Sequence, residues 1–288
     1  MAPRRGHHRD RSAENPGVID EELIASLRVI LEPLVRRMWP GTFYGLENLP
    51  SHDRFMVVAN HSAMGSAELW SLLLAWHDLF QGRRRVAGMA HPAAFGVPVL
   101  GSILRGLGAV EATREGARKA REAGVPLLLF PGGDHEAMRP LGQADRVDFA
   151  GRKGWIRLAR EHGLAIVPMA ITGSHKTLPI LMRSRALSWV IGMRPLLGVK
   201  RAPLPVLSLA SALAAERLAR WAGVGVPGRF GAALAAYWAT LMVPWIPARI
   251  GFHLMPPTDV DELAHEGSDE ALYERVVGVL GTALKKEK

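Results

Sequence analysis

The chain has 288 residues, of which 48% are hydrophobic, enough for one large domain or two modest ones with a core that excludes water. Its 36 basic and 27 acidic residues give a formal charge of +9, which favours anionic partners such as bilayers or phosphorylated ligands. Aromatic residues make up only 7% and are not interleaved with Arg or Lys, so no nucleic-acid partner is expected, and the lack of cysteine excludes disulfides, thiolate metal sites and a cysteine nucleophile.

The amino-terminal part combines a basic tail with an amphipathic helix. The first twelve residues, MAPRRGHHRDRS, lack the apolar run of a secretion signal, so we predict a solvated basic tail over 1–19 and a cytoplasmic location. Apolar residues recur at helical spacing from Glu22 to Met38, which predicts an amphipathic helix within 20–45. This helix either packs on the core or lies on a bilayer.

Apolar runs then alternate with amphipathic stretches. A first strand begins at Phe55, and further strands are predicted at 85–89, 108–112, 126–130 and 164–171. Helices are predicted between them at 65–77, 93–105, from Thr113 to Gly124, and 151–162. This alternation predicts an α/β fold with a mostly parallel central sheet flanked by helices.

The segment 178–248 is rich in Leu, Ala, Trp and Pro, and Glu216 is its only acidic residue. Its run 231–247 has no charge over 17 residues, the short limit of the ~17 to 25 residues that span a bilayer. Because Pro244 and Pro247 shorten any helix there, we predict an apolar helical segment that is buried or embedded in a membrane interface. A strand at 249–254 and a helix from Ser268 are expected to complete the core.

An Asn-His pair, Asn60 and His61, directly follows the first strand. Open α/β sheets usually carry their sites just past the carboxyl ends of strands, and a histidine there serves as a general base when a carboxylate fixes its tautomer. Glu68 is the nearest acid, and a short loop followed by a helical turn would bring it back beside His61. The alternative is a structural, hydrogen-bonded histidine, but the strand-end position favours catalysis.

A second loop of the same design, FPGGDHEAMRP at 130–140, follows the strand 126–130. Pro131, Gly132 and Gly133 let the backbone approach a ligand and offer N–H groups, while Glu136 and Arg139 bring charge within one turn. We expect this loop to meet the Asn-His loop at the carboxyl edge of the sheet. No G-x-S-x-G, G-x-x-x-x-G-K-[ST] or H-E-x-x-H pattern occurs, and no metal site is expected.

Four short blocks follow one another between Val57 and Thr172. They are NHSAMGSAE, similar to N-H-x(4)-D; GAVEATR at 108–114, similar to G-x-x-F-x-x-R; FPGGDHEA, similar to F-P-E-G-T-R in its PGG-x-x-E-A form; and IVPMAI at 166–171, similar to V-P-V-x-I. In this order they resemble the glycerolipid or lysophospholipid acyltransferases, a PlsC-like family with diacylglycerol acyltransferase-like and phytyl ester synthase-like branches. Four ordered blocks are much more specific than any one of them.

Two blocks depart from the family pattern. Ser66 stands where the family has Asp, so either Glu68 replaces that acid after a longer loop or Ser66 itself holds the ring. Gly132 and His135 stand at the acidic and arginine positions of the third block. This leaves Arg114 or Arg139 as the residue that would hold a phosphate.

The resemblance implies a membrane-associated O-acyltransferase that moves a fatty acyl group from acyl-CoA or acyl-ACP to the hydroxyl of a glycerolipid-type acceptor. It implies His61 as general base, worth roughly 10² to 10⁴ in rate, and backbone N–H groups of the glycine loop as oxyanion donors. The acyl thioester is a co-substrate, and no other cofactor is expected. The candidate residues are His61 and Glu68 for catalysis and, for substrate binding, Asn60, Ser66, Arg105, Arg114, Pro131, Gly132, Gly133, Glu136, Arg139 and Pro168.

The predicted organisation is a basic tail at 1–19, an amphipathic helix at 20–45, an acyltransferase core at 46–177, an apolar membrane or acyl-chain segment at 178–248, and a strand and helix at 249–288. The protein is expected at the inner face of the membrane, as a peripheral or monotopic protein with membrane lipid as partner. Two other functions stay open: a thioesterase or lipid ester hydrolase, and a lipid-binding protein that keeps the fold without catalysis.

Overall fold

The structure is a computed structural model that describes residues 16–259 and 268–286, so the predicted basic tail lies outside the described residues up to residue 15. The helices are α1 (Glu21–Met38), α2 (Ser66–Phe80), α3 (Pro92–Phe95), α4 (Pro98–Gly106), α5 (Arg114–Glu122), α6 (Gly133–Ala137), α7 (Gly154–His162), α8 (Arg185–Val190), α9 (Met193–Leu197), α10 (Val206–Trp221), α11 (Val226–Thr240) and α12 (Asp269–Lys286). The strands are β1 (Gly41–Tyr44), β2 (Phe55–Ala59), β3 (Ala87–Ala90), β4 (Val110–Glu111), β5 (Leu127–Leu129), β6 (Ala165–Thr172), β7 (Ile180–Ser184), β8 (Ala202–Pro205) and β9 (Ile250–Leu254).

Within the described residues, one seven-stranded sheet runs in the order β1-β9-β6-β2-β5-β3-β4. The five strands from β6 to β4 pair in parallel, whereas β9 is antiparallel to β6 and parallel to β1. The predicted mostly parallel α/β sheet is therefore confirmed. Because β2 lies between β5 and β6, the loops that follow β2 and β5 leave the sheet side by side at its carboxyl edge.

Both faces of the sheet are covered, so β2 is buried along its whole length and reads as a continuous apolar run. Successive side chains point to opposite faces: Met56 and Val58 pack in the cluster that includes residues of α5, α7 and α12, and Val57 packs in the cluster that includes residues of α1 and α2. The carboxyl-terminal helix thus contributes to the same core as the central strands.

The helix predicted at 93–105 is broken into α3 and α4. Val97, between them, has extended backbone angles (φ −81°, ψ 119°), and Pro98 opens α4. A residue that precedes proline is disfavoured in the helical region, which explains the break. In contrast, the helix predicted from Thr113 begins as expected, since the Thr113 hydroxyl accepts a hydrogen bond from the Gly116 N–H.

The segment 178–248, predicted to be helical, contains strands as well as helices. It opens with an antiparallel pair, β7 and β8, followed by the helical hairpin of α10 and α11. The uncharged run 231–247 leaves the helix at Thr240, before its two prolines. None of the helices within residues 16–259 and 268–286 combines the length and the apolar character that crossing a bilayer requires.

Candidate active site

Asn60 directly follows β2 and is hydrogen-bonded to β6. Its side-chain Oδ1 accepts from the Ile171 N–H at 2.7 Å, and its Nδ2 donates to the Ile171 carbonyl at 3.0 Å. The side chain is buried and imitates a backbone partner of the neighbouring strand. Asn60 therefore fixes the position of the residue that follows it, and the prediction that it binds substrate is not supported by this geometry.

His61 lies against Glu68, as predicted. The imidazole Nδ1 forms a short hydrogen bond with Glu68 Oε1, and the Glu68 side chain is buried. The same carboxylate accepts weaker hydrogen bonds from the Ser62 N–H at 3.4 Å and the Ser62 hydroxyl at 3.5 Å. The Ser62 hydroxyl is in turn hydrogen-bonded to that of Ser174, which positions Ser62 beside the carboxylate.

A left-handed turn makes this pairing possible. Ala63, Met64 and Gly65 all have positive φ, and α2 then begins at Ser66, which places Glu68 in its first turn, where the helix dipole stabilises a carboxylate. A Cβ atom on Gly65 would stand 2.4 Å from His61 Cε1, so the ring packs directly on the glycine. The Ser66 hydroxyl donates to the Ala63 carbonyl at 3.3 Å, so Glu68 rather than Ser66 contacts His61.

The environment of His61 favours its use as a base. Burial of the ring disfavours the charged imidazolium, but the charge and hydrogen bond of Glu68 outweigh burial, and the pKa of His61 is raised above its usual value. The ring stacks on Phe130, with centroids 4.6 Å apart, and lines a cavity. Since Nδ1 is engaged by Glu68, Nε2 is the nitrogen left for a substrate, and no described residue is hydrogen-bonded to it.

Glu136 and Arg139 form a buried ion pair behind the site. Arg139 Nη1 lies 2.9 Å from Glu136 Oε1, and the Arg139 side chain is only 4% exposed. Glu136 Oε2 accepts from the His61 backbone N–H at 3.1 Å, which links the two predicted loops. Burial raises the pKa of Glu136 to about 7, although the Arg139 charge opposes this shift. The prediction that Arg139, as the alternative to Arg114, holds a phosphate is not supported by this geometry, because its guanidinium is buried against Glu136.

The Pro-Gly-Gly loop is shaped to hold Glu136. A Cβ atom on Gly132 would stand 2.4 Å from Glu136 Cβ, so glycine is needed for α6 to fold back over the loop. The Gly133 N–H donates to the Phe130 carbonyl at 3.0 Å, and the Arg152 guanidinium donates to the Gly132 carbonyl at 2.8 Å. Because the Gly133 N–H already donates a hydrogen bond inside the turn, this geometry does not support its predicted role as a donor to an oxyanion.

Two other predicted binding residues lie elsewhere. Arg105 donates to the Phe95 carbonyl at 3.4 Å, a contact between α4 and α3, and lines neither of the two cavities described below. Pro168 is buried within β6, where its carbonyl accepts from the Met255 N–H at 2.9 Å. Both residues support the scaffold rather than the cavity.

Two adjoining cavities open beside His61. The first, the histidine cavity, has a volume of about 820 Å³ and is lined by His61, Phe130, Pro131 and Gly133. Three arginines, Arg114, Arg152 and Arg157, line it as well. Arg114 is 78% exposed and lies 3.2 Å from Glu161, so it remains near the cavity mouth where an anionic ligand can reach it.

The second, the apolar cavity, has a volume of about 670 Å³ and adjoins the first through shared lining residues that include Met64, Leu69 and Leu104. α2 contributes the largest share of its lining, and further lining residues come from α4 and from the segments 17–21 and 82–88. The sequence predicts that the segment 178–248 encloses the acyl chain. Of the described lining residues of this cavity, only Met242 comes from that segment. The apolar cavity therefore lies mainly within the predicted acyltransferase core, 46–177, rather than in the segment 178–248.

Several residues of the site were not predicted from the sequence. Ser62 donates to the Glu68 carboxylate, Ser174 is hydrogen-bonded to Ser62, and Arg152 donates to a carbonyl of the Pro-Gly-Gly loop. Ser62 follows His61 directly, which was an available signal. Ser174 and Arg152 come from later loops, and nothing in their local sequence distinguishes them.

An α/β sheet that presents a carboxylate-oriented histidine beside an apolar cavity defines a domain suited to general-base chemistry on an apolar substrate. Comparison with known families agrees with this class. Residues 41–172, the part of the chain from β1 to β6, match the family model described as Acyltransferase. The resemblance predicted from the four blocks is confirmed for that part.

Curated relatives occur in mycobacteria. An uncharacterised protein of Mycobacterium leprae is 29% identical over 168 residues, covering 57% of this chain and 46% of the relative. Uncharacterised proteins of Mycobacterium bovis and Mycobacterium tuberculosis H37Rv are also 29% identical over 168 residues, covering 57% of this chain and 47% of each relative. The match thus spans about half the length of these relatives.

Among solved structures, the 1-acyl-sn-glycerophosphate (LPA) acyltransferase PlsC from Thermotoga maritima is similar, with 18% identity and a TM-score of 0.49. The match covers 91% of this chain and 78% of that one. The resemblance to acyltransferases therefore rests on the match of residues 41–172.

Proposed function

We propose that the protein is an O-acyltransferase that moves a fatty acyl group from an acyl thioester to the hydroxyl of a glycerolipid-type acceptor. The observation that carries this proposal is the buried Glu68 carboxylate on His61 Nδ1, in a domain of the acyltransferase family. This arrangement leaves Nε2 as the nitrogen that meets the substrate.

In the proposed mechanism, neutral His61 accepts the proton of the acceptor hydroxyl at Nε2 while that oxygen attacks the thioester carbonyl carbon. The C–S bond then breaks, and the departing thiolate takes the proton back from the imidazolium. Glu68 fixes the tautomer that carries its proton on Nδ1 and stabilises the imidazolium while it exists. General-base assistance of this kind contributes roughly 10² to 10⁴ in rate.

The two cavities support a placement for the substrates. The apolar cavity, about 670 Å³, is of a size common for ligand sites and would take the acyl chain. The three arginines of the histidine cavity would hold phosphates of coenzyme A or of an acyl carrier protein's prosthetic arm, since a guanidinium binds phosphate with paired hydrogen bonds. The proposal further places the protein at the inner face of a membrane, where the acceptor lipid resides and where its charge of +9 is favourable.

The test is release of CoA from acyl-CoA by the purified full chain in the presence of lipid alcohols. His61→Ala is expected to lower the rate by roughly 10² to 10⁴, because the base is lost. His52→Ala is the matched control, since His52 is exposed and lies before β2, and it should leave the rate unchanged. An unaffected His61→Ala rate would rule out His61 as base.

Product analysis separates the remaining functions. A new ester under excess acceptor supports acyl transfer. Free fatty acid without new ester would instead identify a hydrolase that uses water as acceptor. Tight binding of lipid without turnover of any donor would identify a lipid-binding protein.

A further inference from the structure

The helical hairpin of α10 and α11 has a packed base and an unpacked tip. At the base, Tyr237 and Leu241 are buried in a small cluster together with Ile191, Met193 and Ala202. Beyond Ala212 on α10 and before Leu234 on α11, no described residue of the hairpin belongs to this cluster. With a rise of about 1.5 Å per residue, the part of α10 from Ala212 to Trp221 extends roughly 13 Å past the base.

The tip, residues 217–230, exposes large apolar side chains. Trp221 is 88% exposed, Val226 is 73% exposed, and Leu218, Val224 and Phe230 are exposed as well. These five side chains, all within the tip, form an apolar patch of a kind that soluble monomers rarely expose to water. Such patches usually mark an interaction site. Tryptophan and phenylalanine are also the residues that anchor interfacial elements at the headgroup level.

The charge around this patch fits an anionic partner. The segment 178–248 contains eight basic residues and one acidic residue, and 8 − 1 = +7 is most of the total charge of +9. The single acid, Glu216, is already paired with Arg229 at 2.8 Å. Arg217 and Arg220, on the tip itself, are exposed and are not paired with any described acidic residue.

The hairpin is connected to the site in two ways. Arg183 of β7 donates a hydrogen bond to the His135 carbonyl of α6, and β7 pairs with β8, which leads directly into α10. At the other end, Met242 follows α11 and lines the apolar cavity. A surface that binds the hairpin would therefore lie close to the site.

We propose that the hairpin tip inserts into the headgroup region of an anionic lipid bilayer, with Trp221, Val226 and Phe230 as apolar anchors and Arg217 and Arg220 as contacts to lipid phosphates. This insertion extends the membrane association included in the proposed function and assigns it to a particular element. Interfacial elements bury their apolar face roughly 5 to 10 Å deep, which the protruding part of the hairpin can reach.

A labelled single cysteine tests the location directly. The chain has no cysteine, so Val226→Cys gives one site for an environment-sensitive fluorophore. On vesicles of phosphatidylcholine with phosphatidylglycerol, we expect a blue-shifted emission and protection from iodide. The same probe at Val279→Cys on α12, an exposed control position, should stay accessible to iodide. Vesicle binding with an iodide-accessible probe at position 226 would overturn the proposal.

Paired substitutions test the contributions of the side chains. Trp221→Ser with Phe230→Ser should lower vesicle cosedimentation at least tenfold, whereas Val29→Ser with Ile30→Ser, which removes exposed apolar residues from α1, should have a minor effect. Arg217→Ser with Arg220→Ser should weaken binding to anionic vesicles about thirtyfold, because each basic residue near such a surface contributes about fivefold. Arg121→Ser with Arg275→Ser removes two exposed charges elsewhere and is the matched control.

Two results would contradict this assignment. If the Val29→Ser, Ile30→Ser variant lost vesicle binding while the Trp221→Ser, Phe230→Ser variant bound normally, the membrane contact would lie on α1. A change of oligomeric state by light scattering in the Trp221 variant, with unchanged vesicle binding, would identify the tip as a contact between copies of the chain.

Failure of this inference is distinguishable from failure of the proposed function. Vesicle binding is measured without substrate, and His61→Ala should bind vesicles normally. Acyl transfer to an acceptor dispersed in detergent should persist in the Trp221 and Phe230 variant, because the tip contributes no described residue to the lining of either cavity.

Discussion

At the scale of single residues, the position of Glu68 decides how His61 behaves. Its buried carboxylate meets Nδ1 and raises the pKa of the imidazole against the effect of burial. A base must be neutral to accept a proton, so the proposed activity should fall as the pH drops through this raised pKa. Glu68 would thus both orient the ring and set the acid limit of the proposed activity.

Glu68→Gln is expected to lower kcat by about a hundredfold or more, because an amide neither stabilises the imidazolium nor fixes the tautomer as a carboxylate does. Without the carboxylate, burial lowers the pKa of His61, so the acid limb of kcat/KM should move to lower pH. The measurement is a pH profile of kcat/KM. Ser66→Ala should leave the limb in place, and an unmoved limb in Glu68→Gln would show that Glu68 does not control His61.

Glu136→Gln should destabilise the fold by about 3 to 5 kcal/mol, because it leaves the Arg139 guanidinium buried without its counter-charge. Glu115→Gln is a matched control, since Glu115 pairs with Arg118 at the same three-residue spacing but on the surface, where the cost is below about 1 kcal/mol. The measurement is urea unfolding of both variants.

Addition of Arg139→Met to Glu136→Gln should recover part of this loss, because no isolated charge then remains in the core. Equal destabilisation by Glu136→Gln and Glu115→Gln would contradict the importance of the buried pair.

At the scale of elements, α2 and α4 shape the place for an apolar substrate. Both helices line the apolar cavity, and the left-handed turn before α2, which includes Met64 and Gly65, contributes to the same lining. Leu104 of α4 lines both cavities and so lies on the path between them. Side-chain size at this position should therefore set how much acyl chain the protein accepts.

Leu104→Trp is expected to shift the preference toward shorter acyl donors. Each methylene excluded from the cavity loses about 0.8 kcal/mol of burial, or roughly fourfold in kcat/KM. The measurement is kcat/KM over a series of acyl-CoA chain lengths. Val99→Trp, on the same helix but 73% exposed and outside the described cavity linings, is the control, and an identical chain-length profile in both variants would contradict this role.

At the scale of the whole molecule, the last strand is an internal part of the sheet. β9 lies between β1 and β6, and its residues Ile250, Phe252 and Leu254 are buried. The part that matches the acyltransferase family, 41–172, therefore depends on a strand that follows it by many residues. The hairpin, by contrast, extends from the fold without covering this core.

Removal of 250–288 is expected to abolish cooperative folding. Each of the three buried side chains of β9 contributes about 1.5 to 3 kcal/mol, which together is a large fraction of the ~5 to 15 kcal/mol that stabilises a typical domain. The measurement is thermal unfolding followed by circular dichroism. Replacement of 217–229 by two glycines should keep a cooperative transition, and cooperative melting of the truncated chain would contradict the internal role of β9.

The amino-acid sequence by itself determined most of the elements, the parallel character of the sheet and the two loops that meet at its edge. These features depend on local patterns: apolar runs such as that ending at Ala59, the helix cap at Thr113 and polar residues placed just past a strand. Only the tertiary structure decided that Glu68 rather than Ser66 contacts His61, that Arg139 is buried against Glu136, and that β9 lies between β1 and β6. Those outcomes depend on backbone direction after a turn and on contacts between distant segments, which local periodicity does not encode.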